Sequence, residues 1–174
     1  MAANLFSAGI GADQALKAAR ALKEAGLTTA DRMADATWKE RVLILNRNGY
    51  ARFDEKTSTF LKDMADHCRD AYGGDLRRLR EAAGRDPAEE RRLLKEFKGI
   101  GDVGADIFFR EAQLAWNELY PFADAHALEA GAKLGLGDDA RQLAAHVDRD
   151  RFPALLTALV RADLDKALDD IAAV

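Results

Sequence analysis

Residues 93–105 read LLKEFKGIGDVGA, and the fold of the chain is decided there. Leu93, Leu94 and Phe97 close an apolar helical face, and Gly99 and Gly101, on either side of Ile100, allow a reversal too tight for ordinary side chains. From Ala105 onward, Phe108, Phe109, Ala112, Ala115, Trp116 and Leu119 recur at intervals of three and four, which predicts a second helix burying a wide face as far as Leu119. A helix, a G-x-G hairpin and a helix follow from this stretch. Two uses fit it. One is a tight corner with a glycine C-cap; the other is an anion site, where amides freed at the start of the second helix point outward and the helix dipole favours a phosphate.

The rest of the composition fits helices. The chain has 174 residues, 48% of them hydrophobic, with only three prolines, and Ala, Leu, Glu, Lys and Arg dominate. That is enough for one domain or a compact two-lobed unit with a sizeable core, and it predicts an all-α protein. The single cysteine excludes an internal disulfide and a four-cysteine cluster. Cys68 lies in an apolar stripe and reads as a small buried hydrophobe rather than a nucleophile. No run reaches membrane-spanning length or resembles a signal peptide, so a soluble, cytoplasmic protein without a membrane partner is expected.

Charge is unevenly spread. The whole chain carries −4, unlike most nucleic-acid modules. Residues 76–98, however, hold eight basic residues against five acidic ones, and this positive segment leads into the hairpin. Residues 138–174 reverse the balance with five against eight.

Along the chain, residues 1–12 are glycine-dotted, and a helix is predicted over about 13–25, ended by Gly26. Thr28 and Thr29 cap a brief helix, and another runs from Thr37 to about Asn46, burying Trp38, Val42 and Leu45. After the Asn48-Gly49-Tyr50 turn, a long helix from Asp54 to Tyr72 carries the stripe Phe60, Leu61, Met64, Ala65, Cys68, Ala71 and Tyr72, and Gly73-Gly74 ends it. A short basic helix covers 76–83, and Asp86-Pro87 opens the helix that enters the hairpin. Tyr120-Pro121 ends the second hairpin helix; Asp124 precedes the segment Ala127, Leu128, Ala130, Leu134, and further helices are predicted near 138–147, 152–160 and 163–172. Residues of about 13–122 thus form one helical lobe containing the hairpin, and about 123–174 the C-terminal helices.

The order of four segments now carries a resemblance: GLTTADRMADATWKERVLILNRNGYARFDEKTSTFL (26–61), AYGGDL (71–76), LLKEFKGIGDVGADIF (93–108) and PFADAHALEAGAKLGL (121–136). It resembles the helix-hairpin-helix DNA glycosylases of the endonuclease III and adenine glycosylase type. The shared features are a T-x-x-x-x-A short helix, a Gly-Tyr turn before the long helix, the YGG stop, a GIGxxxA hairpin that has Phe97 where the family's LxGIGxxxA has leucine, and an aspartate beyond it. The resemblance implies two helical lobes with a cleft between them, and double-stranded DNA as partner. It also implies base-excision repair by hydrolysis of the bond between a flipped-out damaged base and its sugar, through an oxocarbenium-like transition state. In this likeness Lys98, Gly99, Ile100, Gly101 and Val103 form the DNA-binding segment, whose backbone holds phosphate directly or through a monovalent cation. Ile100 is then buried, and Lys98 supplies a phosphate charge. Asp124 is the carboxylate that stabilises the sugar cation. Taken alone, it is an N-cap for the next helix. His126, completing D-x-H, stands beside it as a phosphate or Asp124 contact or as a partly buried structural histidine.

Three departures limit the likeness. Bifunctional members place a Schiff-base lysine two residues past the second glycine, and here that residue is Val103, so only a monofunctional, water-attacking glycosylase without lysine-based lyase activity is implied. No cysteine follows Cys68, so the family's iron–sulfur cluster cannot form, and no metal site is expected. Gly9 stands opposite the family's intercalating glutamine, in a shortened N-terminal part. The alternative function is therefore a catalytically inactive, glycosylase-derived module that binds DNA or a protein.

Overall fold

The computed structural model describes residues 1–173, and all regular structure in them is helical. The contacts divide the chain into two compact units, Met1–Ile107 and Phe108–Val174. The division falls inside the helix that follows the hairpin.

In the first unit, α1 (Ala2–Ser7) and α2 (Ala12–Glu24) precede α3 (Ala30–Asp35) and α4 (Trp38–Leu45). Thr29 Oγ1 accepts from the Arg32 amide at 3.2 Å, and Thr37 and Glu40 form a reciprocal capping box that starts α4. A wide turn, Asn46–Tyr50, passes through Gly49 at φ 84° into α5 (Asp54–Tyr72). The left-handed Gly73 (φ 58°) ends α5, with the Gly74 amide donating to Cys68 O. Asp75 caps α6 (Leu76–Ala82), and Asp86 caps α7 (Pro87–Leu94) with proline in its first turn. α5 packs across α3 and α4, and the core gathers Leu5, Ala15, Ala18, Leu22, Met33, Leu45, Tyr50 and Leu61.

The sequence assigns no element to residues 1–12, and two expectations for this unit are corrected. Residues 2–7 are helical, because Leu5 is fully buried in the core and its carbonyl accepts from the Tyr50 hydroxyl at 2.8 Å. On α4, Trp38 is 46% exposed and Val42 half-buried, whereas Arg41 is 1% exposed. The guanidinium takes that inward place because backbone carbonyls are waiting for it: Met33 O at 3.1 Å, Ser58 O at 3.0 Å and Ala36 O. Of the long helix's stripe, Ala71 is exposed and Phe60 half-buried, while Leu61, Ala65, Cys68 and Tyr72 are buried.

The hairpin's second helix, α8 (Asp102–Ala112), is shorter than its apolar periodicity predicts. Gln113, fully buried, donates through Nε2 to Arg110 O at 2.9 Å and to Phe122 O at 3.1 Å, and its Oε1 accepts from the Phe122 amide at 3.0 Å. A carbonyl that a longer helix would have used is thereby claimed by a side chain, so Trp116 and Leu119 are buried from a turn and a single 3₁₀ turn, Asn117–Leu119. In the second unit α9 (Ala125–Lys133), α10 (Ala140–Ala144), α11 (Phe152–Leu164) and α12 (Leu168–Ala172) enclose Ala127, Ala130, Leu143, Phe152, Leu156, Leu159 and Leu168. α10 is only five residues long, not the helix predicted over 138–147, and α11 extends past 160 at the expense of α12. Among the described residues no helix is long and apolar enough to cross a membrane.

Candidate functional site

The two glycines of the hairpin do different work. Gly99 has φ 81°, and a Cβ on it would come within 2.6 Å of the Phe60 ring, so only glycine fits. Gly101 has an ordinary φ, and a Cβ there would meet nothing within 4 Å, so the space beside its Cα is open. Ile100 between them is buried, with its side chain 3.3 Å from where a Cβ on Gly104 would lie. Phe97 anchors the approach, stacked on Tyr72 at 6.0 Å and met edge-on by His67 at 4.6 Å. Lys98, Gly99, Gly101 and Asp102 are exposed, and Val103 is 57% exposed. The arrangement is an exposed turn on a fixed base, with the first amides of an eleven-residue helix beside it.

Charge around the turn is more balanced than the sequence suggests. Arg92 pairs with Glu89 and Glu96, Arg91 with Asp106 and Arg77 with Asp75, so much of the positive segment is neutralised locally. Lys95 reaches from the end of α7 to Asp102 at 2.7 Å, which lowers the Asp102 pKa through that hydrogen bond. Asp102 also puts a carboxylate in the first turn of α8, where it complements the helix dipole and would repel an incoming phosphate. Two cations converge on one ring beside Gly99: Lys98 Nζ lies 6.0 Å and Lys56 Nζ 5.3 Å from the Phe60 centroid. Lys56 sits on α5 and is joined to the site only by folding.

Asp124 is the N-cap of α9, with Oδ1 accepting from the Ala127 amide at 3.3 Å. Its other oxygen is held by Arg110 of α8, Nε at 3.0 Å and Nη2 at 2.6 Å. The side chains of Arg110 and Asp124 are 12% and 3% exposed. A guanidinium already neutralises this carboxylate, and little of it meets solvent. His126 is exposed, against its reading as a partly buried structural histidine, because the second residue of α9 points away from the face bearing Ala127 and Ala130. Cys68 is buried, and burial raises its thiol pKa, away from thiolate chemistry.

The hairpin residues belong to the first unit and Asp124 to the second. Gly9 is exposed, with open space where a side chain would project. Among the described residues no group of three or more His, Cys, Asp or Glu side chains could hold a metal ion. A monovalent cation at the hairpin fits poorly. The carbonyls of Phe97, Gly99 and Gly101 already accept hydrogen bonds, Gly99's from the Asn4 side chain at 3.1 Å. Asn4, Lys56, Arg110 and Gln113 escape a reading of the sequence because each acts on a residue distant in the chain or inside a turn; only the charge at position 110, one of few basic residues near Asp124, hints at its pairing.

No family model matches the chain, and neither a curated protein nor a solved structure does. The functional reading therefore stands on the residues and their geometry.

Proposed function

We propose that the chain is a helix-hairpin-helix protein of the DNA glycosylase type, related to base-excision repair, that binds duplex DNA through the hairpin backbone and uses Asp124 as a structural cap. The observation that carries the binding half is the asymmetry of the two glycines: Gly99 serves the turn, with Lys98 and Lys56 at the Phe60 ring beside it, whereas exposed Gly101 has open space where a Cβ would lie. A phosphate oxygen can approach such a backbone where it could not approach a side chain. The non-catalytic half is supported by Arg110, which already neutralises Asp124.

Gly101→Val tests the reading. The substitution has room and no unfavourable φ, so the protein should stay folded by circular dichroism while duplex affinity falls about tenfold or more. Affinity of the wild type should fall with added salt. A folded variant that binds DNA as well as wild type would remove DNA from the account.

A second reading is a monofunctional DNA N-glycosylase in which Asp124 stabilises the sugar cation. Its favouring observation is that Asp124 is doubly anchored at the start of α9, as an electrostatic stabiliser needs to be. In that reading base entry displaces Arg110 from the carboxylate. Screening alkylated, oxidised and deaminated duplexes with wild type and Asp124→Asn decides it: release by wild type alone selects the enzyme, and release by neither selects the binding protein.

A further inference from the structure

The hairpin is held from behind by a residue at the far end of the sequence. Asn4 is 5% exposed, and its Nδ2 donates to Gly99 O at 3.1 Å. Asn4 cannot drift, because its neighbour Leu5 is fully buried and Leu5 O accepts from the buried Tyr50 hydroxyl. Ser7 Oγ also donates to Asn4 O at 3.0 Å. On the hairpin side, the left-handed Gly99 turns its carbonyl toward Asn4 while Phe60 closes the space where a Cβ would be.

The Gly99 carbonyl is held against the buried Asn4 side chain and takes its hydrogen bond from it. A monovalent cation at an anion-binding hairpin would do two things at once, satisfying the carbonyl and adding a positive charge that screens phosphate. An amide N–H does the first without any ion. We infer that Asn4 is a positioning residue of the hairpin, its amide supplying at Gly99 O the donor that a monovalent cation would otherwise supply, so that DNA binding is independent of which cation is present. The inference rests on the reading of the hairpin as a DNA contact. It assigns to α1 a part in the interface that its distance in sequence conceals.

The experiment measures duplex affinity by fluorescence anisotropy at one ionic strength in KCl, NaCl or tetramethylammonium chloride, the last being too large to enter a turn. Wild type should bind equally in all three, within about twofold. Asn4→Ala should lose about tenfold in tetramethylammonium and regain part of it in Na⁺ or K⁺, with its thermal midpoint lowest in tetramethylammonium. Asn4→Asp, which sets an acceptor against an acceptor, should respond to Na⁺ and K⁺ more strongly still. A wild type that depends on the cation overturns the inference, and so does Asn4→Ala with unchanged affinity or with an equal loss in all three salts. If Asn4→Ala fails to fold, Asn4→Asp carries the same comparison across the three salts. A wild type sensitive to Gly101→Val but with a flat Asn4 series defeats the role of Asn4 alone, whereas a wild type with no duplex affinity defeats the hairpin reading and this inference with it.

Discussion

Removing Arg110 should do more damage than removing Asp124, and the difference can be worked from the geometry. Arg110→Met keeps most of the side-chain volume but withdraws both hydrogen bonds from Asp124 Oδ2, leaving a carboxylate whose side chain is 3% exposed with only the Ala127 amide, at 3.3 Å. Breaking a buried ion pair from one side costs about 3–5 kcal/mol, and because Arg110 is 12% exposed the lower end applies, about 3 kcal/mol. For a protein of this size that is a fall in thermal midpoint of about 6–12 °C. Asp124→Asn keeps an N-cap, since asparagine caps about as well as aspartate, and leaves a cation that can turn toward water, so about 1–2 kcal/mol is expected. Arg110→Met with Asp124→Asn should be more stable than Arg110→Met alone, because no charge is then stranded, and the cycle should give a coupling of about 2 kcal/mol. Urea denaturation of the four proteins, followed by circular dichroism, measures it. A cost below about 1 kcal/mol for Arg110→Met, or a coupling near zero, would refute the pair as a structural element and leave Asp124 free for another role.

Other outcomes follow from the same contacts. Lys56→Ala and Lys98→Ala should each weaken duplex binding several-fold and lower the slope of log affinity against log salt by about one, whereas Asp102→Asn should tighten binding by removing a carboxylate from the first turn of α8; salt titrations by anisotropy read all three. Arg41→Met should destabilise by about 3 kcal/mol or more in urea, because three carbonyls of α3, its C-terminal end and α5 lose their donor at a buried position. Burial raises the Tyr50 pKa above the ordinary phenol range, so its contribution is complete below about pH 10 and is lost as pH rises through the folded-state value; Tyr50→Phe should be less stable at neutral pH and show a flatter alkaline decline in thermal midpoint.

What the sequence makes legible is what local chemistry controls. Thr29, Thr37, Asp86 and Asp124 announce helix starts because a short polar side chain before an apolar run has one favourable use, and Gly73 announces a stop because few other residues adopt its φ. The buried face of α4 is misleading because its apolar period points to Trp38, while the partners that draw Arg41 inward are backbone carbonyls, which have no letter in the sequence. α8 looks longer for a related reason: Phe109, Trp116 and Leu119 do become buried at helical spacing, but Gln113 bends the chain between them. The hairpin is legible as a turn from G-x-G, yet not its charge, since neighbouring acids silence Arg91, Arg92 and Lys95 and the nearest extra lysine arrives from α5.

The two glycines also predict how the motif would behave under random mutation and selection. At position 99 any side chain strains the turn and collides with Phe60, so variants should vanish from a library sorted only for cellular abundance. At position 101 the same sort should pass nearly everything, since nothing lies within reach of a new Cβ. A sort for ligand capture would purge both. If the hairpin binds a ligand as proposed, one short motif contains a glycine required by folding and a glycine required by use, and the gap between the two sorted libraries at position 101 isolates the second kind of constraint whatever the chemical nature of the bound molecule.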